Sequence, residues 1–235
     1  MKFNAVLKNE MLKINRTYII PLSIFLANVL MAIIVFTHFF NVYNIAESKS
    51  RINYSNILQV INYITYVQLF LIGSLIPNMA HGSISSEKKS SGLYVIFLSG
   101  IKSFELIFGK MIAYISCMFV VIFATLPIYF STQIFGGFDI VNTLSYLLYL
   151  FCNVIFIINL CIFISALTPE FSSAQIICFI ISMIIESFML IFYQNILKSN
   201  GDLLIAVDTT LFIASAILFI ATSTILSVYN LSKEQ

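Results

Sequence analysis

Six long stretches that are almost free of charge limit what this chain can fold into. Asp, Glu, Lys and Arg are absent from 18–40, 57–80, 111–134, 140–168 and 209–232, and 171–197 contains only Glu186. A helix of about 20 apolar residues crosses the hydrocarbon core of a bilayer. Because backbone groups in hydrocarbon must be hydrogen-bonded within their own segment, runs this long predict helices rather than barrel strands. We therefore expect an all-α integral membrane protein with six transmembrane helices.

The composition excludes most other classes. Charged residues make up 9% of the chain, whereas soluble domains carry about 25%. The net charge of +2 comes without a basic stripe, so a nucleic-acid partner is not expected. The four cysteines lie in apolar runs without metal-ligand spacing, and we expect no metal or other cofactor in this chain. An intramembrane enzyme would need clustered ionisable groups at depth, and the pattern lacks them.

Basic residues predict the orientation of the chain, because loops rich in Lys and Arg stay in the cytoplasm. Nine of them flank one side: Lys2, Lys8, Lys13, Arg16, Lys88, Lys89, Lys102, Lys110 and Lys233. Three flank the other: Lys49, Arg51 and Lys198. We expect a multi-pass protein of the plasma membrane, folded as a single transmembrane domain over 1–235, with both termini in the cytoplasm.

The first 17 residues predict an amphipathic helix that lies at the membrane interface before the first span. Its apolar face contains Phe3, Val6, Leu7, Met11 and Ile14, at the spacing of one side of a helix. Glu10 falls on this apolar side. The alternative is a frayed basic tail.

A charged segment, 84–110, separates the second and third predicted spans. Ser85 and Ser86 are candidate N-caps, Glu87 suits a helix N-terminus, and Gly92 and Gly100 interrupt the segment. The apolar run 93–98 is too short to cross a bilayer and too apolar for a solvated loop, so a partner surface or the bilayer face must cover it. This pattern predicts two short helices followed by a helical entry into span three; a plain cytoplasmic loop is the alternative.

The same segment resembles the signature region of ABC-2 type transporter permeases. It carries Glu87-Lys88, then Gly92, and it closes with the sequence ELIFGK at 105–110. Two positions differ from the usual pattern: Leu93 stands in place of a Thr, and Gly100 in place of a Pro. The resemblance implies the membrane subunit of an ABC exporter, paired with a second copy of itself or a homologous permease and driven by separate ATP-binding subunits.

The resemblance also implies that the segment acts as a coupling helix that grips the ATP-binding subunit. The residues expected to bind this partner are Glu87, Lys88, Lys89, Leu93, Ile96 and Phe97. The chain has no G-x-x-x-x-G-K-[ST] phosphate loop. We therefore expect it to be a transport subunit rather than an enzyme, with ATP and Mg²⁺ bound by the partner.

Polar residues inside the spans are candidates for the substrate path. They are Asn62, Tyr66, Gln68 and Glu186. Hydrogen bonding between helices is the alternative role, and for Glu186 a protonated carboxyl group near the outer end of span five is a further alternative. The Phe-rich spans favour a hydrophobic or amphipathic peptide or a drug-like molecule as substrate. A stand-alone secondary transporter or a peptide-immunity protein is the alternative function, but neither would explain the charged segment.

Overall fold

The computed structural model describes residues 2–49, 54–90, 92–133, 140–168, 170–198, 217 and 220–232, and every regular element in them is a helix. The helices are α1 (Lys2–Asn15), α2 (Ile19–Lys49), α3 (Tyr54–Ala80), α4 (Ser85–Lys89), α5 (Gly92–Leu98), α6 (Ser103–Gln133), α7 (Ile140–Leu167) and α8 (Phe171–Lys198). Residues 220–232 form a further helical segment near the carboxyl terminus.

Five of these helices are long and apolar enough to cross a membrane. The apolar windows are Ile20–Asn41, Asn62–Lys89, Ser103–Ser131, Tyr146–Leu167 and Phe171–Ile191. The prediction of an all-helical membrane protein is thereby confirmed. The sixth predicted span, 209–232, lies partly outside the described residues.

The helix bundle is built around α3 and α7. In the apolar windows of these two helices 61% of residues are buried, against 17% in α2. α3 packs against α2, α6, α7 and α8, and α7 also contacts α6 and α8. Polar side chains at depth on α3 and α7 are therefore directed mostly into the protein, while α2 lies at the periphery.

The amino-terminal helix packs along the start of α6. Val6 and Ile14, from its predicted apolar face, are buried in the core. The close approach depends on Gly109, because a Cβ atom there would lie 3.0 Å from Val6 Cγ1. The predicted helix is present, and part of its apolar face covers α6.

The charged segment forms two short helices, as its pattern predicted. Gly92 begins α5, and Gly100, with φ of 74°, separates α5 from α6 in a conformation that favours glycine. The prediction of serine N-caps was wrong: Ile84 occupies the N-cap position of α4 without a side-chain cap. The hydroxyls of Ser85 and Ser86 instead donate backwards to the carbonyls of His81 and Gly82.

Candidate functional site

Four charged side chains from three helices meet beside α4. Lys110 Nζ of α6 lies 2.8 Å from Glu87 Oε1 of α4 and 3.8 Å from Glu10 Oε1 of α1. Lys13 Nζ of α1 lies 2.8 Å from Glu10 Oε1 and 3.5 Å from Glu87 Oε1. Two carboxylates and two ammonium groups balance, and we call this group of Glu10, Lys13, Glu87 and Lys110 the ion cluster.

The ion cluster is largely withdrawn from solvent. The side chain of Lys110 is 0% exposed, and those of Glu10 and Glu87 are 7% and 14% exposed. Lys110 Nζ also donates to the carbonyl oxygen of Ser83, in the turn before α4. A buried ammonium is tolerated only when it is paired and hydrogen-bonded, so these contacts fix α4 against α1 and α6.

Lys13 occupies the solvent side of the cluster. Burial lowers the pKa of its ammonium group, but the hydrogen bond to Glu10 and the attraction of the Glu10 and Glu87 carboxylates more than offset this. The pKa of Lys13 therefore lies above its ordinary value, and the cluster keeps its positive charge on the exposed edge.

The carboxyl-terminal end of α7 holds α4 from another side. Ser165 Oγ accepts hydrogen bonds from the backbone N–H groups of Ile84, at 3.0 Å, and Ser85, at 3.1 Å. This contact satisfies orphan donors at the start of α4, the role that a residue of α4 itself was predicted to play. Lys88 Nζ donates to the carbonyl oxygen of Ala166, at 2.8 Å. α4 is therefore tied to α1, α6 and α7.

The short helix α5 presents an apolar face to the outside. Of the residues expected to touch a partner, Leu93 is buried, while Ile96 and Phe97 are half-buried against the core. The exposed apolar residues are Tyr94, Val95 and Leu98, whose exposed fractions are 68%, 64% and 69%. Lys89 is also exposed, at the end of α4. These outward residues could not be told from the inward ones by sequence, because apolar side chains occupy every position of α5 after Gly92.

Gln68, a candidate for the substrate path, lies inside the helix bundle. Its Nε2 atom donates to Thr125 Oγ1 at 3.0 Å, and the hydroxyl of Tyr146 donates to its Oε1 atom at 2.5 Å. These contacts link α3 with α6 and α7, which is the alternative role of hydrogen bonding between helices.

Two other path candidates, Asn62 and Tyr66, lie nearer the amino-terminal end of α3 than Gln68 does. Both are half-buried. The ring of Tyr66 contacts that of Tyr63, whose side chain is 45% exposed, with ring centroids 6.2 Å apart. This part of α3 is the one at which the path candidates reach the surface of the chain.

Glu186, the fourth path candidate, is buried between α3, α7 and α8. Asn153 Nδ2 of α7 lies 3.0 Å and 3.1 Å from its two carboxyl oxygens. Within one chain its contacts are therefore those of an interhelical hydrogen bond, and a path role stays a prediction.

Most of the chain matches a known protein family. A family model described as ABC-2 type transporter matches residues 1–195, which include α1 to α7 and most of α8. The chain belongs to the ABC-2 type transporter family. No match was found among curated proteins. As an ABC-2 permease, the chain is a multi-pass membrane component of a transporter, and the resemblance seen in 84–110 is confirmed at the level of the family.

The last feature is the grouping of side chains that could bind a metal ion. Among the residues that the structure describes, no three His, Cys, Asp or Glu side chains are grouped so that they could hold a metal ion. The ion cluster is the principal charged site of this ABC-2 permease in its described part.

Proposed function

We propose that this ABC-2 permease is the membrane subunit of an ATP-driven exporter and that α4 and α5 transmit the motion of a separate ATP-binding subunit. The observation that carries the proposal is the attachment of α4 to three helices of the bundle through the ion cluster, Ser165 and Ala166. A short element fixed in this way moves with the helices to which it is packed.

The docking surface is the exposed apolar face of α5 together with Lys89. Tyr94, Val95 and Leu98 are each more than half exposed, and such a patch marks an interaction surface. The ATP-binding subunit is the proposed occupant, because the excess of Lys and Arg at this end of the bundle supports a cytoplasmic orientation, on the side where ATP is available. Leu93, Ile96 and Phe97 pack between this face and the core of the bundle. Glu87 and Lys88 fix the position of α4, which precedes it.

The proposed translocation path lies between this chain and a second permease copy, along α3. Asn62 and Tyr66 reach the surface there, beside the exposed Tyr63. The aromatic and amide groups suit a hydrophobic or amphipathic peptide or drug-like substrate. Gln68 and Glu186 support the path from within the bundle.

Replacing Leu98 with Asp tests the docking surface. A charge in the centre of an apolar contact should abolish copurification of the ATP-binding subunit and transport-linked ATP hydrolysis, because the buried carboxylate would have no counter-charge. Leu12 is a matched control, since it is a leucine on α1 that is 48% exposed. Leu12→Asp should bind the partner normally.

Membrane insertion of both variants is checked by their recovery in detergent-extracted membranes. If Leu98→Asp inserts, binds the ATP-binding subunit and supports ATP hydrolysis as well as Leu12→Asp does, α5 is not the docking element and the proposal fails.

A further inference from the structure

Glu186 is an ionisable side chain in the interior of the bundle that the coupling function does not use. It is 4% exposed and lies where α8 approaches α3. The contact is close: a Cβ atom at Gly73 would lie 2.8 Å from Glu186 Cγ. Ser182, one turn earlier on α8, donates to the carbonyl oxygen of Gly73 at 2.8 Å, so the two helix backbones are held together at this level.

The hydrogen bonds around the carboxyl group are incomplete. Asn153 Nδ2 reaches both carboxyl oxygens, at 3.0 Å and 3.1 Å, while Asn153 Oδ1 is buried and has no hydrogen-bond partner. An ionised carboxylate only accepts hydrogen bonds, so it cannot satisfy this amide oxygen. A buried acceptor without a partner costs about 1–3 kcal/mol.

The helices packed around Glu186 provide no positive charge. α3 and α7 contain no Lys, Arg or His, and the only such residue in α8 is Lys198, at its last position. Twelve positions along a helix correspond to about 18 Å. The titratable group that faces the carboxyl from α7 is Tyr149, whose hydroxyl donates to the carbonyl of Met189 at 3.0 Å. Neither group can neutralise a carboxylate at Glu186.

We propose that Glu186 and Asn153 form a proton-binding site, in which Glu186 is a neutral carboxylic acid in this packing of α3, α7 and α8. The proton supplies the missing donor: the carboxyl O–H donates to Asn153 Oδ1, and the other carboxyl oxygen accepts from Asn153 Nδ2. Rotation of the terminal carboxyl and amide groups is needed to make this cyclic pair, and these torsions are broad. All polar atoms of the pair are then satisfied.

The proton and the helix packing are linked. Removing the proton leaves an unpaired negative charge in a low-dielectric site, which opposes the contact of α8 with α3 and α7. The packed state binds the proton more tightly than a state in which the carboxyl meets water. Stability should therefore decrease as the pH rises, because deprotonation favours the unpacked state.

The test compares thermal unfolding of the detergent-solubilised permease between about pH 6 and about pH 9, a range above the pKa of about 4.3 of a solvated glutamate. Three proteins are used: the unaltered chain, Glu186→Gln, and the matched control Glu170→Gln, which changes an exposed glutamate. Other groups titrate alike in all three. We expect the melting temperature of the unaltered chain and of Glu170→Gln to fall more steeply with pH than that of Glu186→Gln.

A direct readout complements the unfolding curves. The infrared difference spectrum between the unaltered chain and Glu186→Gln at neutral pH should contain the carbonyl stretch of a protonated carboxylic acid, and the spectrum against Glu170→Gln should not. Equal pH dependence in all three proteins, together with no acid carbonyl band, would overturn the proposal.

If Glu186→Gln does not fold, the infrared spectrum of the unaltered chain labelled with ¹³C-glutamate tests the proposal instead. An acid carbonyl band that shifts with the label at neutral pH supports the proton-binding site, because solvated glutamates are ionised there and the buried Glu10 and Glu87 carboxylates are paired with lysine ammonium groups. Its absence overturns the site. The result does not depend on the coupling function, since no partner or substrate takes part in the measurement.

Discussion

Replacing Lys110 with Met should destabilise the permease more than any other single loss of a positive charge in its described part. Lys110 is 0% exposed and makes the 2.8 Å contact with Glu87. Met has a similar length and fills the apolar part of the site, so the change removes mainly the charge and its hydrogen bonds. Glu10 retains Lys13 at 2.8 Å, but Glu87 is left with Lys13 at 3.5 Å.

The expected loss follows from the burial of Glu87. Its side chain is 14% exposed, and its Oε2 atom is buried without a hydrogen-bond partner. Removing one member of a buried ion pair costs about 3–5 kcal/mol. Because Lys13 still compensates part of the charge, we expect a loss near the lower end, about 3 kcal/mol.

The assay is thermal unfolding in detergent, with Lys102→Met as the control. Lys102 is exposed between α5 and α6, so its loss should cost less than about 1 kcal/mol. The double variant Glu87→Gln with Lys110→Met removes both charges and should recover part of the loss, and together with Glu87→Gln alone it closes a cycle that measures the coupling. If Lys110→Met unfolds at the same temperature as Lys102→Met, the ion cluster does not stabilise the attachment of α4.

Three further perturbations test the neighbouring contacts and the orientation. Gly109→Leu should push α1 away from α6, because even a Cβ atom at this position would lie 3.0 Å from Val6 Cγ1. We expect the free energy of unfolding to fall by about 1–3 kcal/mol and α1 to be proteolysed faster; unchanged proteolysis would contradict the close packing. Ser165→Ala removes the acceptor of two backbone N–H groups of α4 and should lower stability by about 1–2 kcal/mol; a melting temperature equal to that of the unaltered chain would refute the cap. A cysteine replacing Ser199 should react with an impermeant thiol reagent from outside the cell, and one at the amino terminus should not; the reverse pattern would refute the proposed orientation.

The spans could be predicted from the sequence because the bilayer imposes one simple demand on them. Any uncharged run of the required length satisfies it, and α7, from Ile140 to Leu167, is nearly coincident with the run 140–168. The helical entry into span three was also predicted from the sequence, and α6 begins at Ser103, within the charged segment. The packing of this entry against α1 is a long-range contact, which local composition does not contain.

The ion cluster could not be predicted in detail because its members are far apart in sequence. Two signals nevertheless pointed to it. Glu10 falls on the apolar face of α1, and Lys110 follows Gly109 at the start of an apolar run. A charge in either position requires an opposite charge once the apolar face is buried. Pairing these two with Glu87 and Lys13 needed the three-dimensional fold.

The attachment of α4 and the pair of Asn153 with Glu186 both involve one helix, α7. Ser165 and Ala166 hold α4, and Asn153 holds Glu186. The twelve positions between Asn153 and Ser165 correspond to about 18 Å of continuous helix. A helix packed on several sides moves as a unit, so a displacement of α4 would act on α7 and through it on the contact with α8. If both proposals hold, the protonated pair would sense the motion that α4 receives, because separating Asn153 from Glu186 removes the group that shares the proton. Coupling of this kind requires that both sites bias one two-state element, and α7 is the element that contacts both.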